Sequence, residues 1–365
     1  MDQSLYNFSL LIALPLMLFF GFNMLFARVP EDRKYTSFLL SRRLMGAAIL
    51  VLALNYAVHF FFSIRFKDLN ATILMNLVTY FLCYWLFSLA MMVLLDRNYL
   101  NARRFAIHIC LWILYCAISC ASFFLPGRTW STIFLAALLM SYGLFLSVRL
   151  LRTYSDAIRM FKNTHSDDIG AYIRWMSVFT YWAIAFGVSC SALTFLPDKY
   201  VFLWVLAAVP FYIYLFCCYQ NYIFFYKKVE DAFLEDISED EYAKAPLENE
   251  RGVPEYHSEL SRRIAEWIAE EGYRKQGITL NELSSLLCTN RTYLSEYIKT
   301  VYGKSFRDWI SDLRIEYAKA LMMHNPQMKI QEVSDISGFL SLSHFSRTFS
   351  EREGCSPARW RKSAL

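Results

Sequence analysis

The stretch IQEVSDISGFLSLSHFSRTFSEREGCSPARWR, residues 330–361, decides how the C-terminal part of the chain folds. Gly338 interrupts it, so the pattern predicts a short helix, a tight turn and a longer amphipathic helix. Ser341 can cap the longer helix, and Phe345 and Phe349 lie four residues apart on one apolar face. The stretch therefore predicts two helices that pack against each other. The polar face of the second helix is not needed for this packing and is available for another function.

Residues 280–305, LNELSSLLCTNRTYLSEYIKTVYGKS, repeat this arrangement. Thr279 is followed three residues later by a glutamate, which predicts a capping box for a short helix, and Asn290 can cap a longer one. Gly303 and Gly354 stand at equivalent positions and predict the ends of the two longer helices. The repeat predicts two helix-turn-helix units, of which the second has a turn one residue longer.

A connecting helix is predicted between the two units. The segment SFRDWISDLRIEYAKALM, residues 305–322, begins with a serine that can act as its N-cap. At about 1.5 Å per residue this helix would be about 27 Å long, close to the roughly 34 Å of one DNA turn. Apolar spacing predicts the cores of the two units: Leu283, Leu294, Ile298, Val301, Val333, Phe339, Phe345, Phe349 and Trp360.

With these motifs, residues 258–362 resemble the DNA-binding domain of AraC/XylS-type bacterial transcription regulators. The most specific part is the pattern I-x-x-V-S-x-x-x-G-F-x-S-x-S-H-F-S-R-x-F-x-x-x-x-G-x-S-P-x-x-W-R, which fills residues 330–361. The chain departs from the family at Ser284 and Ser334, where members often have Ala, and at Cys288, where the first turn often has Gly. The family's usual soluble sugar-binding sensor is absent, so the resemblance implies no effector.

The resemblance implies which side chains face DNA. The family places the exposed positions of the two longer helices against bases, which here are Arg291, Thr292, Ser295, Glu296, Lys299, Leu342, Ser343, His344 and Arg347. Phosphate contacts are expected from Lys304, Arg359 and Arg361. Arginine can read guanine, and glutamate can accept a hydrogen bond from cytosine N4. Each of these side chains taken alone can also belong to an ordinary solvated helix face.

Residues 1–228 have the composition of a membrane domain. The whole chain is 56% hydrophobic and 19% charged, and nearly all of the apolar excess precedes Lys227. Crossing the roughly 30 Å apolar core of a bilayer takes about 20 apolar residues per helix. Seven stretches meet this requirement: 5–27, 44–64, 72–95, 105–125, 130–151, 172–196 and 200–226.

The charges of the connecting segments predict an orientation. The segments after the first, third and fifth stretches are rich in Lys and Arg, whereas the alternate segments hold few of them. Because basic residues stay on the cytoplasmic side of a membrane, we expect the N-terminus outside and the C-terminal domain in the cytoplasm. The expected location is the bacterial inner (cytoplasmic) membrane, with a multi-pass topology.

Few polar residues interrupt the apolar stretches. Asn55 and His59 lie four residues apart on one helical face, and Asn76 follows in the third stretch. Two interpretations are open: these groups form interhelical hydrogen bonds, or they form a signal-sensing site. Pro15 and Pro210 predict kinks in the first and seventh stretches.

Residues 229–255 form an acidic linker with 10 Asp/Glu against 2 Lys/Arg. Its first part can continue the seventh helix, and its later part holds too few apolar residues to fold alone. The linker is either a solvated spacer or a transmission helix. The predicted fold class is all-α: a seven-helix membrane bundle, this linker, and a soluble domain over residues 256–365 with two helix-turn-helix units.

The sequence holds no catalytic constellation. The nine cysteines lack zinc-ligand spacing, and the motifs of membrane enzymes and phosphorelay proteins are absent. The chain is therefore not expected to be an enzyme or to need a metal or another cofactor.

Together these features predict a membrane-anchored, one-component transcription regulator. Its membrane part would sense a signal or localise the protein, and its tail would bind double-stranded promoter DNA. The expected partners also include the lipid bilayer and RNA polymerase, while homodimerisation and the signal ligand stay open. The alternative is a membrane receptor or transporter whose helical cytoplasmic tail binds protein partners.

Overall fold

The computed structural model describes residues 2–28, 35–96, 99–124, 128–166, 173–242 and 253–364. The chain forms two compact units. The first, here called the bundle unit, comprises residues 1–157 and 173–227, and the second, the tail unit, comprises residues 158–172 and 228–365. In the described part of the chain all regular structure is helical, apart from one isolated bridge between His165 and Thr279.

Helices make up most of the first two thirds of the chain, and all of them except the four-residue α3 are long. They are α1 Asp2–Phe26, α2 Thr36–Phe62, α3 Ile64–Lys67, α4 Leu69–Leu95, α5 Ala102–Phe124, α6 Arg128–Thr164, α7 Trp175–Leu193 and α8 Asp198–Tyr242. Six of the described helices are long and apolar enough to cross a membrane: Gln3–Phe26, Thr36–Phe62, Leu69–Leu95, Ala102–Phe124, Thr129–Thr164 and Tyr200–Phe224. The predicted stretch 172–196 corresponds to α7, which is not among these six, so the count of seven spans stays a prediction.

Two helices extend well beyond the apolar stretches predicted to cross the membrane. The stretch 130–151 continues as α6 for another 13 residues to Thr164, although that extension is largely polar. The stretch 200–226 continues as α8 to Tyr242, so the predicted helical continuation into the acidic linker is confirmed up to that residue. The rest of the linker up to residue 252 lies outside the described residues.

Glycine permits a close approach of α1 and α2. A Cβ added at Gly46 would lie 2.9 Å from the carbonyl oxygen of Gly21, and a Cβ at Gly21 would overlap Leu50. Contacts this short leave no room for a side chain, so the two backbones pack directly against each other. On its other side α2 packs along α4, whose N-terminus is capped by Asp68 through a 3.0 Å bond from Ala71 N.

Shorter helices build the tail unit. They are α9 Val253–Ala269, α10 Leu280–Leu286, α11 Arg291–Tyr302, α12 Phe306–His324, α13 Ile330–Ile336, α14 Leu342–Glu353 and α15 Pro357–Ala364. The predicted N-caps are confirmed, because the side chains of Thr279, Asn290, Ser305 and Ser341 each accept a hydrogen bond from the backbone N–H three residues ahead. The predicted stops are also confirmed, since Gly303 and Gly354 follow α11 and α14 with φ of 67° and 73°.

Two apolar cores hold these helices together. Leu283, Leu294 and Ile298 are buried in the first core, which also includes Trp267 and Trp309. The second core buries a set of side chains that were all expected inside: Val333, Phe339, Phe345 and Phe349, with Trp360 packed against them. The prediction for Val301 is wrong: its side chain is 52% exposed, because it falls outside the face of α11 that turns inward.

Candidate nucleic-acid interface

The pairs α10–α11 and α13–α14 share one local geometry. Each consists of a helix of seven residues, a turn and a helix of twelve residues. In the first turn Thr289 N donates to Ser284 O at 2.9 Å, and in the second Phe339 N donates to Ser334 O at 3.1 Å. The residue before each donor has a positive φ, 51° at Cys288 and 88° at Gly338. The sequence repeat is thus a structural repeat as well.

A buried arginine joins the two pairs. Arg314, on α12, is fully buried and donates to the carbonyl oxygens of Tyr273 at 2.8 Å and Lys275 at 2.7 Å. Its guanidinium also lies 5.7 Å from the centre of the Phe339 ring in the second core. The amphipathic pattern of α12 gave no sign of this role, because the acceptors lie about 40 residues earlier in the chain.

The segment that supplies these acceptors also contacts the second turn. Arg274 Nε donates to Ile336 O at 3.0 Å, and Gln276 Nε2 donates to Phe339 O at 3.2 Å. A Cβ at Gly338 would lie 2.4 Å from the carbonyl oxygen of Arg274. These contacts hold the second turn against the first core, so the tail unit has one connected interior.

The predicted base-reading residues of the first pair lie together. Arg291, Thr292, Ser295, Glu296 and Lys299 line one polar groove along α11. Thr292, Glu296 and Lys299 are exposed, and the other two are half-buried. This is the accessibility that contact with base edges requires, but whether each residue reads a base stays a prediction.

The predicted residues of the second pair lie near the start of α14. Leu342 and Ser343 are exposed, whereas His344 and Arg347 are half-buried. The His344 ring packs edge-on against Phe339, with ring centres 5.5 Å apart. Arg347 lies 3.9 Å from Glu351 on the next turn of the helix, at the outer limit of an ion pair.

The three predicted phosphate contacts differ in their surroundings. Arg359 is exposed near the start of α15. The Lys304 ammonium forms an ion pair with Asp312, and the Arg361 guanidinium donates to the carbonyl oxygen of Met328. For these two side chains, a phosphate contact would compete with an existing internal contact.

Ion pairs tie α12 to α14. Arg352 lies 3.0 Å from Asp308 and 2.9 Å from Asp312. Lys319 lies 3.0 Å from Glu316 and 3.1 Å from Glu353. The hydrogen bond that the Lys319 ammonium donates to Glu316 raises the pKa of Lys319 against the opposing effect of burial, and its contact with Glu353 adds to the increase. These pairs fix the orientation of α14 relative to α12.

In the bundle unit, the three candidate sensing residues lie in one buried polar cluster. Asn55 Nδ2 donates to Asn76 Oδ1 at 3.2 Å and to Thr79 Oγ1 at 3.1 Å, and His59 Nε2 lies 2.9 Å from Asn76 Oδ1. The cluster therefore links α2 to α4, as the hydrogen-bond interpretation expected. Asn55 Oδ1 and His59 Nδ1 have no hydrogen-bond partner among the described residues. Thr79 also belongs to the cluster, although it was not predicted as a site residue. A single threonine in an apolar stretch gives no specific signal in the sequence.

The bundle unit also contains an apolar cavity. Its volume is about 140 Å³, and side chains of α2, α4, α7 and α8 line it. On α8 the lining residues are Trp204, Ala208, Phe211, Tyr212 and Leu215, which flank Pro210. Sequence reasoning missed the cavity, since helix periodicity does not show where packing between helices is incomplete.

Comparison with known proteins identifies the C-terminal part of the chain. Residues 283–363 match the family model of a helix-turn-helix domain. They form a helix-turn-helix domain of the AraC/XylS type.

Several curated transcription regulators are similar to part of the chain. The virulence regulon transcriptional activator VirF of Yersinia enterocolitica is 38% identical over 92 residues, which cover 25% of this chain and 33% of VirF. The regulator ExsA of Pseudomonas aeruginosa is 37% identical over 83 residues, which cover 23% of this chain and 30% of ExsA. The chain thus spans about a third of the length of the curated relatives it matches. No solved structure matches the chain.

Proposed function

We propose that the protein is a sequence-specific DNA-binding transcription regulator anchored in a membrane. The observation that carries the proposal is the paired geometry of the tail unit: two capped helices of twelve residues, each preceded by a short helix and a turn. An α-helix with its side chains fits the major groove of DNA. In this proposal α11 and α14 enter successive major grooves as two helix-turn-helix units, and α12 sets the distance between them.

The membrane part of the proposal rests on charge and hydropathy. Six long apolar helices precede the tail, and the basic residues collect on alternate connecting segments. These features support a multi-pass protein of the bacterial inner membrane with a cytoplasmic tail. In that arrangement α7 supplies the seventh span, in addition to the six long apolar helices.

The bundle unit offers a place where a signal could act. An apolar cavity of about 140 Å³ is close to the roughly 150 Å³ engineered cavity that stays dry and binds benzene. We therefore propose a small apolar ligand, such as one aromatic ring or the end of an acyl chain. A ligand that favoured one conformation of the helix around Pro210 would bias α8, which continues to Tyr242.

Selection of DNA by the full-length chain tests the main proposal. The chain is reconstituted in nanodiscs, incubated with a pool of random duplexes, and the bound DNA is sequenced. A regulator should enrich one motif and protect it in footprinting. Recovery of unrelated sequences, together with specific capture of proteins, would instead favour the receptor or transporter alternative.

Filling the cavity tests the sensing proposal. Ala208 lines the cavity, whereas its neighbour Ala207 is exposed. Ala208→Leu should abolish the change in Trp fluorescence on titration with toluene or indole, and Ala207→Leu should retain it. An acyl-chain ligand would be distinguished by a response to nanodisc lipid composition but not to either aromatic compound.

A further inference from the structure

One segment that precedes the matched helix-turn-helix domain (residues 283–363) by more than 100 residues belongs to the same compact unit. The tail unit includes residues 158–172, of which 158–166 are described and are here called the cover segment. The cover segment comprises the last turns of α6 and the two residues after them. Its position next to the first helix pair has a specific consequence for DNA binding.

The cover segment is attached to the start of α10. Ser166 N donates to Ile278 O at 3.1 Å, and His165 forms a bridge with Thr279, the N-cap of that helix. Thr164, His165 and Ser166 are all buried, as is Phe161 one turn earlier. The backbone hydrogen bond and the burial of these side chains together indicate that the cover segment packs against the start of α10.

This attachment places the cover segment opposite the predicted reading face of α11. Met160, Asn163 and Thr164 line the same groove of about 700 Å³ as Arg291, Thr292, Ser295, Glu296 and Lys299. All five predicted base-reading residues of α11 therefore share their groove with the end of α6. The groove admits water, because three of the five residues are exposed, but a DNA duplex needs more room.

The dimensions of DNA imply that the cover segment and a DNA duplex cannot both contact the predicted reading face of α11. The major groove is about 12 Å wide and about 8.5 Å deep, and one α-helix with side chains is about 10–12 Å across. A helix that reads base edges therefore fills the groove, with DNA on each side of it. The end of a second helix cannot occupy the reading face at the same time.

We propose that the cover segment is an autoinhibitory element that blocks the reading face of α11 until the segment moves away. This inference rests on the proposed DNA-binding function and adds its regulation. The chain would alternate between a closed form, with Ser166 paired to Ile278, and an open form with α11 free to enter the major groove. Apparent DNA affinity would fall in proportion to the open fraction.

Two substitutions at one position test the proposal in the full-length chain in nanodiscs. Ser166→Pro removes the backbone N–H that donates to Ile278 O, whereas Ser166→Ala keeps it. The Ser166 hydroxyl has no hydrogen-bond partner among the described residues, so the alanine variant is a matched control. The probe is a fluorescent duplex recovered from a random pool by the unaltered chain.

Ser166→Pro should bind this duplex about tenfold or more tightly, which corresponds to an open fraction of about one tenth in the unaltered chain. Ser166→Ala should bind like the unaltered chain. Equal affinities for the two variants would overturn the inference and leave the proposed function intact. If no duplex is selectively bound by any of the chains, the proposed function itself fails.

A second measurement needs no substitution. Because coupling between two equilibria is reciprocal, DNA binding should favour the open form and release the cover segment. Amide hydrogen exchange of the peptide that contains residues 158–166 should then become faster when the selected duplex is added. Unchanged or slower exchange of this peptide, with DNA bound, would contradict the inference even if Ser166→Pro failed to fold.

Discussion

At the scale of single residues, the two turns of the tail unit differ in the type of residue that adopts a positive φ. Cys288 adopts φ of 51° in the first turn, and Gly338 adopts 88° in the second. A side chain in the left-handed region costs about 1–2 kcal/mol, so the first turn carries strain that the second avoids. The second turn is also packed against another backbone, at Arg274.

The two reciprocal substitutions should therefore differ in their effect on stability. Gly338→Cys should destabilise the tail unit by about 1–3 kcal/mol from backbone strain, with the clash against Arg274 adding to this. Cys288→Gly should change stability by less than about 1 kcal/mol, because relief of strain is offset by the entropy of glycine. Urea denaturation of residues 256–365 measures both.

Gly354→Ala is the control for this exchange. Gly354 also has a positive φ, 73°, but a Cβ there would meet nothing within 4 Å. The alanine variant should therefore cost only the strain of about 1–2 kcal/mol. A loss as large as that of Gly338→Cys would mean that the contact with Arg274 contributes nothing.

The buried arginine allows a second prediction at this scale. Arg314→Met should destabilise the tail unit by about 2–4 kcal/mol, because it leaves the buried carbonyl group of Tyr273 and the part-buried carbonyl group of Lys275 without the arginine as a donor. Arg314→Lys should recover part of the loss, since an ammonium can still donate. The exposed Lys362→Met serves as the control and should stay within about 0.5 kcal/mol.

At the scale of helices, the sequence predicts most of the tail unit because its signals are local. N-caps such as Asn290 and Ser341 act on N–H groups three residues away, and apolar periodicity marks the inward face of each helix. Contacts between distant segments leave no such signal. The burial of Arg314, the seating of residues 158–166 and the cavity beside Pro210 all depend on partners far along the chain.

Helix ends were predicted less well where the apolar pattern stops before the helix does. The polar extension of α6 beyond residue 151 was not predicted, because hydropathy marks only the apolar part of a helix. The continuation of α8 was foreseen as an option, because nothing between residues 226 and 242 breaks a helix. The base-reading roles of α11 and α14 are predictions from the family resemblance.

Substitutions in the two longer helices test these predictions. Arg291→Ala and Arg347→Ala should each weaken binding to the selected duplex by about 1–3 kcal/mol and relax the preference at one base pair. Arg359→Ala should weaken binding to all duplexes similarly and reduce the slope of log affinity against log salt by about 1. Competition with point-substituted duplexes at several salt concentrations separates these effects.

The exposed Lys362 offers the comparison for these variants, since Lys362→Ala alters charge on the same helix as Arg359. If neither Arg291→Ala nor Arg347→Ala changes the base preference, the assignment of the reading residues is wrong. The DNA-binding proposal would survive that outcome, because other exposed positions of α11 and α14 could supply the contacts.

At the scale of the whole molecule, the topology is the first point to test. Reporter fusions after Tyr226 should be cytoplasmic, and fusions after Phe66 or Pro126 should be extracytoplasmic, since basic residues collect on the opposite connecting segments. Paired phosphatase and fluorescent-protein fusions at each position report both sides. An extracytoplasmic reporter after Tyr226 would contradict both the topology and access of the tail to DNA.

Under the proposed function, the contacts of Arg314 would also constrain the DNA that the protein recognises. Since α12 and this arginine join both helix pairs into one interior, the separation of the two half-sites becomes a property of the protein rather than of a flexible tether. Inserting about five base pairs between the half-sites would turn one of them to the far face of the duplex. Inserting a full turn of about 10.5 base pairs would restore the face but still move it about 34 Å too far. Promoters under this regulator should therefore tolerate substitutions in the spacer far better than any change in its length.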